Sequence, residues 1–254
     1  MNSSILAPLA ARYASWLALP ADQTNRVETD PELVRAMAVI LRIERDPVPS
    51  RTSLLEAAAA AAIAVCLDPR AEPEGEWHEL VSAWVAGHIR KVSRRARGAH
   101  WQAAQEFPGR TVEVDGAEVR ALVPGLVVET PKEISRLQIS GSDLPADEPG
   151  PVPGGVPVLW LNPAVPLTAG KAAAQVGHGS MLLAALLDAD DLKAWAETGY
   201  RTAVRMPGKA QWAELHPGSD PGDAWLNRRV IAVRDAGFTE VEPGTVTVIA
   251  QWRG

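Results

Sequence analysis

Residues 39–67 and 156–184 read as two versions of one text, and this repeat constrains the fold more than any other feature. The first is VILRIERDPVPSRTSLLEAAAAAAIAVCL and the second VPVLWLNPAVPLTAGKAAAQVGHGSMLLA. At an offset of 117 residues, Val39, Leu41 and Ile43 fall on Val156, Val158 and Trp160, and Val48-Pro49 falls on Val165-Pro166. An alanine-rich helical pattern follows in both. Further along, SAWVAGHIRKV resembles KAWAETGYRTAV, with Trp84 on Trp195, and GAHWQAA resembles KAQWAEL, with Trp101 on Trp212. Last, DGAEVRALVPG (115–125) resembles DAGFTEVEPG (235–244) across a small gap. The same order of matches at similar separations indicates an internal duplication.

Each copy alternates short apolar strands with helical patterns. The second reads strand (VPVLWLN), long helix from Pro166 with Thr168 as its cap, helix, strand (YRTAVRM), short helix (GKAQWAEL), loop (HPGSDPGDAW), and two final strands. The expected fold class is α/β: two tandem copies of a small domain, each a four-stranded mixed β-sheet flanked by helices. The expected organisation is an extension over 1–30, a first copy over 31–139, a linker over 140–155 and a second copy over 156–254. The stretch SGSDLPADEPGPVPGGVP at 140–157 carries five prolines and four glycines, too many for a helix or a strand ladder. SILAPLAARYASWLAL near the start has the pattern of an amphipathic helix docking on one of the domains.

Composition excludes several classes. The longest apolar run, Ala57 to Leu67, is 11 residues, short of the roughly 20 a spanning helix needs. MNSSILAPLAARY lacks a basic patch ahead of an apolar segment, so a secretion signal is not expected and a cytoplasmic protein is. A single cysteine, Cys66, excludes an intrachain disulfide and a multi-cysteine metal site, and no cofactor or metal is expected. The net charge is −6, with −5 on residues 1–150 and −1 on 151–254. The exception is the basic run Arg90, Lys91, Arg94, Arg95 and Arg97, which reads either as a solvated helix face or as a polyanion-binding surface.

Two segments carry chemistry. In GKAAAQVGHGS, Lys171, Gln175 and His178 are spaced i, i+4, i+7, which places all three on one helix face. The residues between them are small, leaving room for a ligand or another backbone. A polar stripe at the start of a helix that follows a strand is where α/β sheets present sites. In RDAGFTEVEPGTVTV, Asp235 ends a strand, Pro243-Gly244 turns into the last one, and Thr239 and Thr247 flank the hairpin. Turn chemistry alone accounts for that second segment.

Taken together, GKAAAQVGHGS and DAGFTEVEPGTVTV resemble the type-2 peptidyl-tRNA hydrolases, over roughly residues 155–251. The resemblance implies a small α/β fold and hydrolysis of the ester joining a peptide to tRNA, without metal or cofactor. It assigns Lys171, His178, Asp235 and Thr239 to catalysis and Gln175 and Thr247 to substrate binding. An ester carbonyl needs an activated water and a donor for the developing oxyanion; Asp235, oriented by Thr239, would serve the first and Lys171 the second. His178 would contribute a proton or orient its neighbours. Ala169 and Phe238 stand where the family usually has a lysine and an arginine, removing positive charge, although Arg228 and Arg229 could restore some. In the first copy the 117-residue offset puts Leu54, Ala58 and Ala61 at the positions of Lys171, Gln175 and His178, with Asp115 near Asp235 and Arg120 near Thr239. That copy reads as a degenerate pseudo-dimer partner, with Arg94 and Arg95 supplying contacts to peptidyl-tRNA. The rival expectations are a non-catalytic tRNA- or protein-binding scaffold and a hydrolase of another acyl or peptidyl ester.

Overall fold

Two sheets with the same strand order lie either side of two long, closely packed helices. The computed structural model describes residues 3–20, 23, 30–236 and 241–253. The first half comprises β1 (Arg35–Arg42), α2 (Arg51–Cys66), α3 (His78–Ala86), β2 (Arg90–Ala96), α4 (Gly98–Gln105), β3 (Gly109–Val114), β4 (Ala117–Leu122), β5 (Gly125–Leu126) and α5 (Lys132–Ser135), preceded by α1 (Ala7–Ala18). The second half comprises β6 (Val158–Leu161), α6 (Ala169–Leu186), α7 (Ala189–Glu197), β7 (Ala203–Arg205), α8 (Lys209–Leu215), α9 (Pro221–Arg228), β8 (Val230–Arg234) and β9 (Val246–Gln251). The orders are β2-β1-β4-β3, with β5 added against β1, and β7-β6-β9-β8. In both, the first two strands pair in parallel and the rest antiparallel, as expected for mixed sheets joined by helical crossovers.

Strand alternation sends one face of each sheet inward. Met37, Val39 and Leu41 from β1 and Leu159 and Leu161 from β6 enter one core shared by both halves. The opposite faces build separate outer clusters, Ile40 with Trp101 and Ile134, and Val158 and Trp160 with Ala224 and Ile249. In α2, 13 of 16 residues are buried, which accounts for its apolar run: it is a core helix, covered all round. No helix among the described residues is long and apolar enough to cross a membrane.

The helix starts are built alike. Ser50 accepts a hydrogen bond from Ser53 N, and Thr168 accepts one from Lys171 N, each capping the residue three further on. Counted from these caps, Ala59 matches Gly177 and Ala62 matches Ser180. Ser180 Oγ donates to Ala59 O at 2.8 Å, and a Cβ on Gly177 would stand 3.2 Å from the Ala62 methyl. The two contacts exchange into each other when the helices are swapped. Small residues let the helix backbones meet here; the room between the site residues is taken by another helix. The indoles repeat too, with Trp84 Nε1 donating to Arg90 O and Trp195 Nε1 to Arg201 O, each six residues on.

Five readings of the sequence need correction. Leu167 is an extra residue ahead of the second cap, so the counterparts of Lys171, Gln175 and His178 are Ser53, Ala57 and Ala60, one residue earlier than the constant offset implies. The β3–β4 hairpin closes on a two-residue turn, Asp115-Gly116, with φ of 47° and 80°, so Asp115 is a turn residue. Arg120 lies within β4, bonding Thr111 and the Phe107 carbonyl, and Pro124-Gly125 follows its strand whereas Pro243-Gly244 precedes β9. The expected loop around 216–225 holds α9, with Asp220 as its cap and Pro221 at its first position.

The segment expected as a linker, residues 140–155, is held at both helix starts. Ser142 Oγ accepts from Gly170 N at 3.0 Å at the start of α6. Asp147 accepts from Thr52 N at 2.9 Å and Thr52 Oγ1 at 2.7 Å at the start of α2. Helix α1 spans both halves: Arg12 donates to Ala86 O, and Tyr13 Oη accepts from Ala232 N on the edge strand β8.

Candidate active site

The first two turns of α6 and the start of β9 meet at the carboxylate of the residue just after β8. Asp235 follows the last residue of β8 and is held in place by its backbone, its N–H donating to Thr245 O and its carbonyl accepting from Gly244 N. Its side chain is only 6% exposed. Lys171 Nζ lies 2.8 Å from Asp235 Oδ2, and Gln175 Nε2 donates to the same oxygen at 2.6 Å. Thr247 is fully buried, and its hydroxyl donates to Gln175 Oε1. With its oxygen taken by Thr247, the Gln175 amide can only present its NH2 to Asp235. The i, i+4 spacing on α6 thus brings Lys171 and Gln175 to the same Asp235 oxygen, and Thr247 holds Gln175 in turn.

A buried carboxylate fixed by an ammonium and an amide is suited to hold or deprotonate a water. The adjacent ammonium is suited to stabilise developing negative charge in a site of low dielectric. Among the described residues no group of three His, Cys, Asp or Glu side chains could hold a metal ion.

His178, the third member of the stripe, meets a different partner. Its Nδ1 lies 3.1 Å from Lys91 Nζ, on strand β2 of the first half. Burial, followed by the charges of Lys91 and Lys171, holds the imidazole well below its usual 6.5, so it is neutral. Burial also pushes the Lys91 ammonium down to about 7. The basic run predicts a solvated helix face or a polyanion-binding surface for Lys91; Arg90–Ala96 instead forms strand β2, whose alternation turns Lys91 towards α6. The signal that it turns inward is its neighbour Trp84, whose ring lies 5.1 Å from Nζ.

Other expected contributors lie elsewhere. Arg94 donates to the carbonyls of Ser135 and Leu137, and Arg95 to Gln138 Oε1 and Gly141 O, so both tie residues 135–141 to β2. Arg228 donates to Glu214 O and His216 O, and Arg229 faces Asp191. Ala169 is fully buried. Thr239 and Phe238 fall outside the described residues.

The family described as peptidyl-tRNA hydrolase PTH2 matches residues 156–251. A peptidyl-tRNA hydrolase of Thermococcus onnurineus is 30% identical over 97 residues, covering 37% of this chain and 79% of that protein. One of Methanopyrus kandleri is 37% identical over 98 residues, covering 36% of this chain and 78% of its own length. The chain belongs to the PTH2 family. No solved structure is matched. The family match takes in β6 through β9, and so contains Lys171, Gln175, His178, Asp235 and Thr247; Lys91 lies outside it.

Proposed function

We propose that the second half hydrolyses the ester between a peptide and tRNA. The observation that carries this reading is the Lys171–Asp235–Gln175 cluster, closed behind by Thr247, within the span that matches PTH2. Water held at Asp235 attacks the ester carbonyl, and the carboxylate takes its proton. Lys171 stabilises the oxyanion; the bond to the ribose oxygen then breaks, and that oxygen receives the proton. Thr239 orients Asp235 in this scheme. Arg94 and Arg95 reach tRNA phosphates only in competition with the carbonyls they already hold.

The first half, over 31–139, is in this reading a degenerate duplicate of 156–254 that takes the place of a second subunit, joined through 140–155. The shared strand order, the matched caps and the exchange-symmetric α2–α6 contact support it. The direct test is incubation with a short peptidyl-tRNA, following release of free tRNA by the wild type and by Asp235→Asn and Lys171→Ala. Turnover by the wild type and its loss in folded variants is the expected result; near-normal rates in either variant overturn the assignment.

A further inference from the structure

The second half is not self-sufficient at His178. Strand β2 is the edge strand of the first sheet, and its inward side runs along α6. A Cβ added at Gly170 would stand 3.7 Å from the Ser93 Cβ, and one at Gly177 would stand 3.0 Å from Lys91 Cε. The lysine stem thus crosses α6 where the helix has no side chain, and its nitrogen arrives at the ring of the next residue, 3.1 Å from His178 Nδ1. Gly177 is what lets it pass.

An ammonium has donors and no acceptor, so the nitrogen it faces must be the unprotonated one. His178 is then the Nε2–H tautomer, and whatever approaches its other edge meets a donor rather than a lone pair. We propose that Lys91, supplied by the first half, is a positioning residue that fixes His178 as an Nε2–H hydrogen-bond donor for the site of the second half. The kinetic part of this assignment rests on the hydrolase reading above. It separates the roles of the two groups: Asp235 takes the proton of the water and returns it to the ribose oxygen, while His178 keeps its Nε2 proton and only hydrogen-bonds the substrate or leaving oxygen.

The groups facing Lys91 agree. Trp84 of α3 presents its ring, and Cys66 of α2 is a neutral thiol, pushed up to about 12 by burial. On α6, Lys171 adds positive charge near the ring and opposes its protonation. The Lys91–His178 contact therefore changes with pH through the amine. Below about 7 the ammonium must donate to Nδ1. Above it, the free amine can accept from Nδ1–H as well, and the tautomer is released.

The test reads the ring nitrogens of His178 by NMR in the full-length 15N-labelled protein, assigned against His178→Ala, in wild type and Lys91→Met at pH 6 and pH 9. The expected wild-type ring at pH 6 carries its proton on Nε2, with a mixture at pH 9 and a mixture at both values in Lys91→Met. On peptidyl-tRNA, Lys91→Met should lower kcat roughly tenfold with KM unchanged, and add nothing further in a His178→Ala background. A wild-type ring protonated on Nδ1 at pH 6 overturns the proposal without any variant. So does an unchanged ring in Lys91→Met, or an equal loss of kcat in both backgrounds. The ring signals do not depend on turnover, so a wild type inactive on peptidyl-tRNA overturns the hydrolase reading alone.

Discussion

The two long helices α2 and α6 are capped alike, packed on one another and placed alike on their sheets, yet only α6 carries polar chemistry. From the cap inward, α6 presents Lys171, Gln175 and His178 where α2 presents Ser53, Ala57 and Ala60. The hairpins differ in the same sense: β8 and β9 are joined by the stretch that begins at Asp235, whereas β3 and β4 close directly on Asp115-Gly116. Where Lys171 and Asp235 meet near the start of α6, the start of α2 is covered by Asp147 of the linker. What determines the fold, namely caps, buried indoles and small residues at the helix crossing, is thus separable from what determines the site. The first half has all of the former, and its Lys91 reaches His178 of the second.

The comparison breaks most sharply at Asp235. Asp235→Asn keeps the shape and removes the charge, and should lower turnover by roughly 100-fold or more. Ser53→Ala, at the first-half counterpart of Lys171, should leave turnover unchanged. Release of free tRNA under single-turnover conditions measures both. A drop with Ser53→Ala comparable to that of Asp235→Asn would make the first half a second active centre.

Lys91 should set the slope of stability between about pH 7 and 9. In the folded chain its amine loses its proton near 7, while in the unfolded chain it stays protonated to its usual 10.5. The unfolded state therefore binds more protons across this window, and stability rises with pH. His178 acts in the same direction at lower pH: it is held neutral when folded and protonates below 6.5 when unfolded, so stability falls as pH drops through that value. Urea melts at pH 7, 8 and 9 should show wild-type stability increasing and Lys91→Met flat. A parallel slope in the two proteins would show that Lys91 is not buried in solution.

Widening the helix crossing should cost both halves together. A leucine at Gly177 would drive side-chain atoms into Lys91 and Ala62, and one at Ala59, its counterpart, would press on the Ser180 turn. Overpacking of this kind costs about 1–3 kcal/mol. Because one core runs through both halves, each variant should unfold in a single transition at lower temperature. Two separated transitions would show that the halves fold independently.

Much of this organisation is legible in the sequence because it is local. The Thr168 cap, the long α6 helix and the docking α1 helix follow from residues a few positions apart. The i, i+4, i+7 spacing put Lys171, Gln175 and His178 on one face, and two of the three meet Asp235 while His178 meets Lys91. Asp220-Pro221 is a helix start of the ordinary kind, masked by the glycines and prolines around it. Lys91 was hidden for a different reason. A lysine among arginines on an edge strand has the pattern of a solvated face, and its partner lies 87 residues away on the other half. Leu167, an extra residue ahead of the Thr168 cap, hid the register between α2 and α6, since a shift of one residue moves a helical position by about 100° around the axis.

The two caps offer the finest test, since they are the most alike of all the paired features. Ser50 and Thr168 each accept one of the unpaired backbone N–H groups of the first helical turn. Loss of either side chain should cost about 1 kcal/mol. Thr168 differs in what it holds, because the N–H it accepts belongs to Lys171. Thr168→Ala should therefore lower kcat several-fold as the first turn frays and Lys171 drifts from Asp235, a loss of about 1 kcal/mol in the transition state. Ser50→Ala, which also removes the bond its hydroxyl donates to Asp147, should cost at least as much in stability and still leave kcat unchanged, because the residue it caps in α2 is Ser53. Thermal melts and single-turnover rates on the two variants separate the outcomes. Equal losses of activity would mean that the cap acts through the stability of the whole core, and that the start of α6 has no special hold on the site.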